Sequence, residues 1–253
     1  MTPLKLLFTS LLLANTILSY SQRNKKTEET FYAFDENWQG APIEKAVYFA
    51  RCKKINDTCW QWDTYHMYGP LIKTERFKDE KGSTAHGRFI IYNSLGSVDS
   101  ICNYSNGYPH GTWNIFNDSS GVIEQKYDMG KLISTKTIKR EKDPKQKDTT
   151  GIKDEKESEF TGGIGAWQRY LNRNLRYPDR ALKVGMQGMV VVSFIVDTEG
   201  NIEDPTIWES IEYSLDEEAL HIISESPQWI PAIQFGKKVK SYKRQPIAFK
   251  VPK

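Results

Sequence analysis

The stretch Gly188-Met189-Val190-Val191-Val192-Ser193-Phe194-Ile195-Val196-Asp197-Thr198-Glu199-Gly200-Asn201-Ile202 decides how the last third of the chain folds. Val190, Val192, Phe194 and Val196 alternate along one face of an extended strand. The opposite face carries Val191 and Ile195, also apolar, so the strand is predicted to lie centrally in its sheet. Asp197-Thr198-Glu199-Gly200 predicts a hairpin loop in which Gly200 takes the left-handed position, and the chain returns as a second strand over 201–209.

On the N-terminal side, Ile164, Trp167, Leu171 and Leu175 recur at helical spacing over 164–175. Tyr177-Pro178 stops that helix, because a residue before proline avoids the helical region. Thr161-Gly162-Gly163 open it without the Gly-Lys-Ser/Thr of a phosphate loop. On the C-terminal side, Ser214 with Glu217 forms a capping box, and Leu215, Ala219, Ile222 and Ile223 form the inward stripe of a second helix that ends before Pro227. After Trp229-Ile230-Pro231-Ala232 and a turn at Gly236-Lys237-Lys238, a last strand is expected over about 240–251, with Ile247, Phe249 and Val251 on one face. Pro246 lies inside it. A proline is tolerated essentially only at a sheet edge, so this strand is expected to leave a row of backbone groups open for pairing.

The preceding half is rich in strand signals and contains an imperfect repeat. Ala85-His86-Gly87-Arg88-Phe89-Ile90-Ile91-Tyr92 recurs as Pro109-His110-Gly111-Thr112-Trp113-Asn114-Ile115-Phe116. Each copy continues to a glycine (Gly96, Gly121), an alternating strand ending at Tyr104 or Tyr127, and another glycine (Gly107, Gly130). Trp62, Tyr65, Gly69 and Phe77 fit an earlier copy. Each unit predicts a β-hairpin that must stack on its neighbours to bury a face. The rhythm resembles MORN-type hairpin repeats. His86 and His110 sit at equivalent turn positions and are assigned to turn structure; His66 and His221 stand alone.

Residues 1–21 have the layout of a cleaved export signal: Lys5, an apolar run over 6–18, then Ser19-Tyr20-Ser21 before Gln22. The alternative is an uncleaved membrane anchor. Residues 139–159 carry 14 charged positions, seven of each sign, and are expected to form a linker between modules at 22–138 and 160–253. Export permits disulfides, and Cys52 and Cys59 flank a predicted hairpin turn where a bridge is possible, leaving Cys102 free. The net charge of +3 excludes a protein that binds polyanions by bulk charge, and no nucleic-acid partner is expected. The distribution is uneven: residues 197–225 hold ten acids and no Lys or Arg, while 237–253 hold seven bases and no acid.

The run Tyr177-Pro178, Ala181, Gly185, Gly188, Val190, Val192, Phe194, Val196, Gly200, Ile202, Ser210, Leu215-Asp216, Glu218-Ala219, Trp229, Pro231-Ala232, Gly236-Lys237, Val239, Pro246-Ile247 and Phe249 resembles the TonB C-terminal domain across 160–253. The resemblance implies an α+β unit, a three-stranded antiparallel sheet with two helices, preceded here by stacked β-hairpins. It implies strand addition of a short extended peptide, the TonB box of an outer-membrane transporter. On that basis the receptor strand is expected at Tyr242, Lys243, Arg244, Gln245, Pro246, Ile247, Ala248 and Phe249. Arg176, Tyr177 and Pro178 match the family's Gln-Tyr-Pro segment beside it, with Arg176 replacing the Gln. An uncleaved N-terminus would add the inner-membrane proton-driven complex as partner. The other class of reading is an envelope scaffold, in which the hairpins bind the partner and the TonB-like domain forms a homodimer. No catalytic, metal or cofactor motif stands out, and no enzyme activity is expected.

Overall fold

The computed structural model describes residues 21–24, 29–117, 121–139 and 155–251. All of the expected signal but Ser21, and most of the expected linker, lie outside these residues. No described helix is long and apolar enough to cross a membrane.

The first part is one antiparallel sheet. Its strands run β1 (Ser21–Asn24), β2 (Glu29–Phe34), β3 (Tyr48–Asn56), β4 (Cys59–His66), β5 (Leu71–Phe77), β6 (Gly87–Tyr92), β7 (Val98–Ser105), β8 (Tyr108–Pro109), β9 (Gly111–Asn117), β10 (Gly121–Asp128) and β11 (Lys131–Ile138). Each strand pairs with the next in sequence, except that β8 pairs only with β7 and β9 returns to β7. The repeat units are the hairpins β4–β5, β6–β7 and β9–β10. Local turn chemistry sets their connections: Asn106 and Gly107 both adopt positive φ (51° and 86°), the geometry that closes a two-residue hairpin.

The repeated aromatics become a ladder. Phe77–Phe89, Phe89–Tyr104, Tyr104–Trp113 and Trp113–Tyr127 follow one another at centroid distances of 5.3, 4.6, 5.3 and 4.8 Å. Because side chains alternate along a strand, Ile90 and Tyr92 of β6 point to the other face from Phe89. That second face joins the main core.

The C-terminal part follows as β12 (Glu159–Phe160), α1 (Gly163–Asn174), α2 (Asp179–Lys183), β13 (Gly188–Val196), β14 (Ile202–Glu209), α3 (Tyr213–Ser224), β15 (Trp229–Ile230), β16 (Ala232–Gln234), β17 (Lys237–Val239) and β18 (Ser241–Phe249). Its main sheet has the order β14-β13-β18. β13 is central as its two apolar faces require, and Val190, Val192, Phe194 and Val196 are buried against Leu215, Ala219, Ile222 and Ile223 of α3. The architecture is α+β, with helices on one face of a three-stranded sheet.

Four sequence expectations change. The cap of α3 is Glu212, whose carboxylate accepts hydrogen bonds from Ser214 N (2.8 Å) and Ser214 Oγ (2.5 Å), so Ser214 lies inside the helix. Ile164 stands 71% exposed at the start of α1, where the chain has not yet turned onto the core. Cys52, Cys59 and Cys102 are all free thiols. In the β3–β4 register Cys52 faces Trp62 and Cys59 faces Asn56, several residues apart along the hairpin, which leaves no geometry for a bridge. Burial pushes the Cys52 and Cys102 thiols up to about 12, which keeps them unreactive. Finally, residues 155–159 are held in the fold: Lys156 bridges to Ile233, and Ser158 is buried and accepts a hydrogen bond from Ser241 Oγ.

The two parts share one apolar core. Phe49, Tyr65, Met67, Leu71, Ile90, Tyr92 and Val98 of the hairpin sheet belong to the same cluster as Ile207, Leu215 and Ile222. Tyr213 of α3 inserts edge-on against Phe31, Phe49 and Tyr65. Polar contacts fix the alignment. Arg51, 4% exposed, pairs with Asp63 on its own sheet (2.8 Å) and with Glu217 on α3 (2.5 Å). Arg88 grips Asp204 and Thr206 of β14, and the Tyr92 hydroxyl donates to the Ile207 carbonyl. Ser210 N donates to the Gly96 carbonyl at 2.8 Å. A Cβ on Gly96 (φ +80°) would overlap the Ser210 carbonyl oxygen, so glycine is required both for conformation and for contact.

Two substitutions test this junction in denaturant unfolding of the full chain. Arg51→Ala strands the buried Asp63 carboxylate and is expected to remove about 3–5 kcal/mol of stability. Gly96→Ala is expected to cost ~1–3 kcal/mol, and Gly107→Ala, with positive φ but open space around it, less.

Candidate functional site

A three-stranded sheet has two edges, and here they differ. The β14 edge faces the hairpin sheet: Tyr92 reaches the Ile207 carbonyl, Ser97 forms a bridge with Glu209, and Arg88 covers Thr206. The β18 edge pairs with β13 on one side and with no described strand on the other. It is the edge that Pro246 marked.

All eight residues expected in the receptor strand lie on β18. Tyr242, Lys243, Arg244, Gln245, Pro246, Ile247, Ala248 and Phe249 pair in unbroken register with Ile195, Phe194, Ser193, Val192, Val191, Val190, Met189 and Gly188. Their side chains divide by parity. Ile247 and Phe249 are buried under the helices. Tyr242 (83% exposed), Arg244, Pro246 and Ala248 form the outer face. The Arg244 guanidinium stacks on Trp208 of β14, 3.4 Å from the ring centroid, spanning the sheet from edge to edge. Met189, half exposed beside Ala248, extends the outer face.

The Arg176-Tyr177-Pro178 segment divides. The Tyr177 ring packs edge-on against Phe249 at 6.0 Å, and its hydroxyl donates to the Met186 carbonyl, so it supports the C-terminal end of β18. Pro178 caps α2. Arg176 turns away: its backbone N–H donates to Glu218 Oε1, and its side chain lines a groove of about 390 Å³ between α1 and α3 with Arg173 and His221. The structure thus brings Tyr177 to the strand and leaves Arg176 beside the helices.

The edge is basic. Lys237, Lys238 and Lys250 are exposed. Lys240 pairs with Glu203 (2.7 Å) and Lys243 with Glu157 (3.7 Å). The acidic stretch 197–225 is answered mostly from elsewhere, by Arg51 on Glu217, Arg88 on Asp204 and Arg180 on Glu212 (2.5 Å).

Sequence inspection missed three contributors. Trp208 carried an aromatic signal on the predicted second strand, but its contact with Arg244 crosses β13. Glu157 and Ser158 were hidden in a charged run, yet they lie against Lys243 and Ser241. Among the described residues no cluster of metal-ligating side chains occurs. His86 Nδ1 accepts from Asn106 N (3.4 Å) and His110 lies 3.5 Å from Asp128, each immediately before its strand, β6 or β9.

Comparison with curated proteins finds no match. Among solved structures, two NMR solution structures of the Helicobacter pylori TonB C-terminal domain are similar to part of the chain. Each is 24% identical over 34% of this chain, covers 78% or 91% of its own, and has a TM-score of 0.28. Residues 173–251, from the end of α1 through β18, match the family model for the Gram-negative bacterial TonB protein C-terminal.

Proposed function

We propose that the protein binds an extended segment of an outer-membrane transporter, of TonB-box type, by adding it as a strand to β18 on the periplasmic side of the cell envelope. The observation that carries this reading is the asymmetry of the sheet edges: the hairpin sheet meets the β14 edge at Ile207 and Glu209, whereas β18, touched near its start by the side chains of Glu157 and Ser158, pairs with no second described strand. Main-chain hydrogen bonds would supply affinity, and the alternating side chains of β18 would supply selectivity. Tyr242, Arg244, Pro246 and Ala248 would meet one face of the peptide. Lys243 and Gln245 would meet the other, while Ile247 and Phe249, buried under the helices with Tyr177 against Phe249, hold the strand in place. Arg176 would act through the groove between α1 and α3 rather than on the strand. The basic surroundings of β18 favour a segment of acidic character.

In this reading the chain is an export signal (1–21), a hairpin module (22–138), a charged linker (139–159) and a TonB-like domain (160–253), with no enzymatic role. The scaffolding alternative is the weaker one, because the hairpin sheet commits one of its two faces to its own C-terminal part.

NMR titration of the full mature chain with short extended peptides from the transporters of the same cell tests the proposal. The amides of β18 are expected to shift first, with a smaller response at Tyr177. Lys243→Glu combined with Arg244→Glu is expected to weaken binding of acidic peptides about tenfold at low salt, with the difference shrinking as salt is raised. Peptide-induced shifts confined to the hairpin sheet would overturn the proposal.

A further inference from the structure

Between the hairpin sheet and the C-terminal part lies a carboxyl group that the strand-addition site does not use. Asp216, in the first turn of α3, is fully buried. Its Oδ2 accepts from Ser210 Oγ at 2.5 Å and its Oδ1 from Ile211 N at 3.2 Å. Ser210 Oγ in turn accepts from Leu71 N of β5 at 2.7 Å, a backbone bond that crosses the junction. The cover over Asp216 comes from the other part of the chain. Tyr65 of β4, 1% exposed, is a hydrogen-bonding neighbour of the carboxyl, and Leu71, 3% exposed, is tied to it through Ser210 Oγ. An acid in the first turn of a helix would be ionised and hydrated if that cover were absent. The hairpin sheet removes the water.

The neighbouring charges do not compensate. Glu212, the buried helix cap, is a like charge and is taken up by Arg180. Arg51 is divided between Asp63 and Glu217, with Glu29 at 3.7 Å. Beside these pairs a cavity of about 50 Å³ runs between Asp63, Thr74, Tyr92, Ile207 and Glu217, and two buried polar atoms facing this junction, Arg51 Nε and Glu217 Oε1, have no protein partner. The ring of Tyr213, the hydroxyl of Tyr92 and the guanidinium groups of Arg76 and Arg88, which line the same cavity, are further titratable groups on this side. The junction is therefore incompletely satisfied, and Asp216 has no cation of its own.

We propose that this junction is a proton-dependent clasp: the hairpin sheet stays docked on α3 and β14 while Asp216 is neutral and loosens when Asp216 ionises. Release would uncover the β14 edge, the second place in the sheet where an extended strand could pair. The inference concerns a different edge from the one assigned to peptide addition and stands or falls separately from it.

Burial pushes the Asp216 carboxyl up to about 8. Once the sheet lifts away, the group is hydrated and returns to the ordinary carboxylate range of ~4. The docked form therefore holds one more proton than the open form between those limits. Docking is strongest at the acidic end, weakens as pH rises through the window, and levels off above about 8.

Amide hydrogen exchange of the full chain between pH 6 and 9, each rate divided by its intrinsic value, tests the clasp. The amides of Leu71 and Ser210, which bridge the junction, are expected to open about tenfold more from pH 6 to 7 and progressively less per unit as pH passes 8, relative to Val192 in β13. Asp216→Asn, neutral at every pH, is expected to abolish that dependence. Tyr65→Phe keeps the ring packing and removes a hydrogen bond to the carboxyl, so it is expected to move the upper limit of the window to higher pH and serves where the asparagine variant does not fold. An unchanged pH response in Asp216→Asn or Tyr65→Phe would overturn the clasp. So would a flat profile in the unsubstituted chain, or one in which β13 opens in parallel.

Discussion

The structure depends on the meeting of one acidic surface with one set of arginines. Residues 197–225 carry ten acids and no base, a concentration that would repel itself if left alone. The hairpin sheet supplies Arg51 and Arg88 to that surface, and α2 supplies Arg180. The pairs are shielded by an apolar contact in which Tyr213 enters a cage of Phe31, Phe49 and Tyr65. Buried ion pairs contribute little net stability because desolvation offsets their attraction. Their value here is alignment: a bidentate arginine on Asp204 accepts few orientations of one part against the other.

That alignment has a consequence at the opposite side of the sheet. The hairpin sheet holds the β14 edge at Ile207 and Glu209, and β18 is the edge that faces no further described strand. Open edges invite indiscriminate pairing, and proteins commonly blunt them with charge and proline. β18 carries both, in Lys243, Arg244 and Pro246, yet keeps a continuous register with β13. Both devices stand on the one strand of this sheet that meets no further described strand.

Much of this was legible from residue order. The alternation in β13, the glycine turn before β14, the apolar stripe of α3 and the edge proline are local signals, each expressed within a few residues. The repeat likewise predicted its hairpins, and its aromatics proved to be neighbours in a ladder. The errors were decided by pairings that residue order alone does not show. Ser214 had the better capping signature, but Glu212 was drawn into place by Arg180. The spacing of Cys52 and Cys59 allowed a bridge that the strand register excludes.

The amino-acid sequence by itself determined the strands, the helices, the central position of β13 and the edge character of β18, because periodicity and backbone chemistry act over short distances. Only the tertiary structure decided that the hairpin sheet and the C-terminal part share one core, that the β14 edge is covered, and that Asp216 is buried without a cation. Those outcomes rest on contacts between residues more than a hundred positions apart, such as Arg51 with Glu217 and Leu71 with Ser210. No local pattern encodes a partner at that distance; it emerges when two apolar faces meet and exclude water.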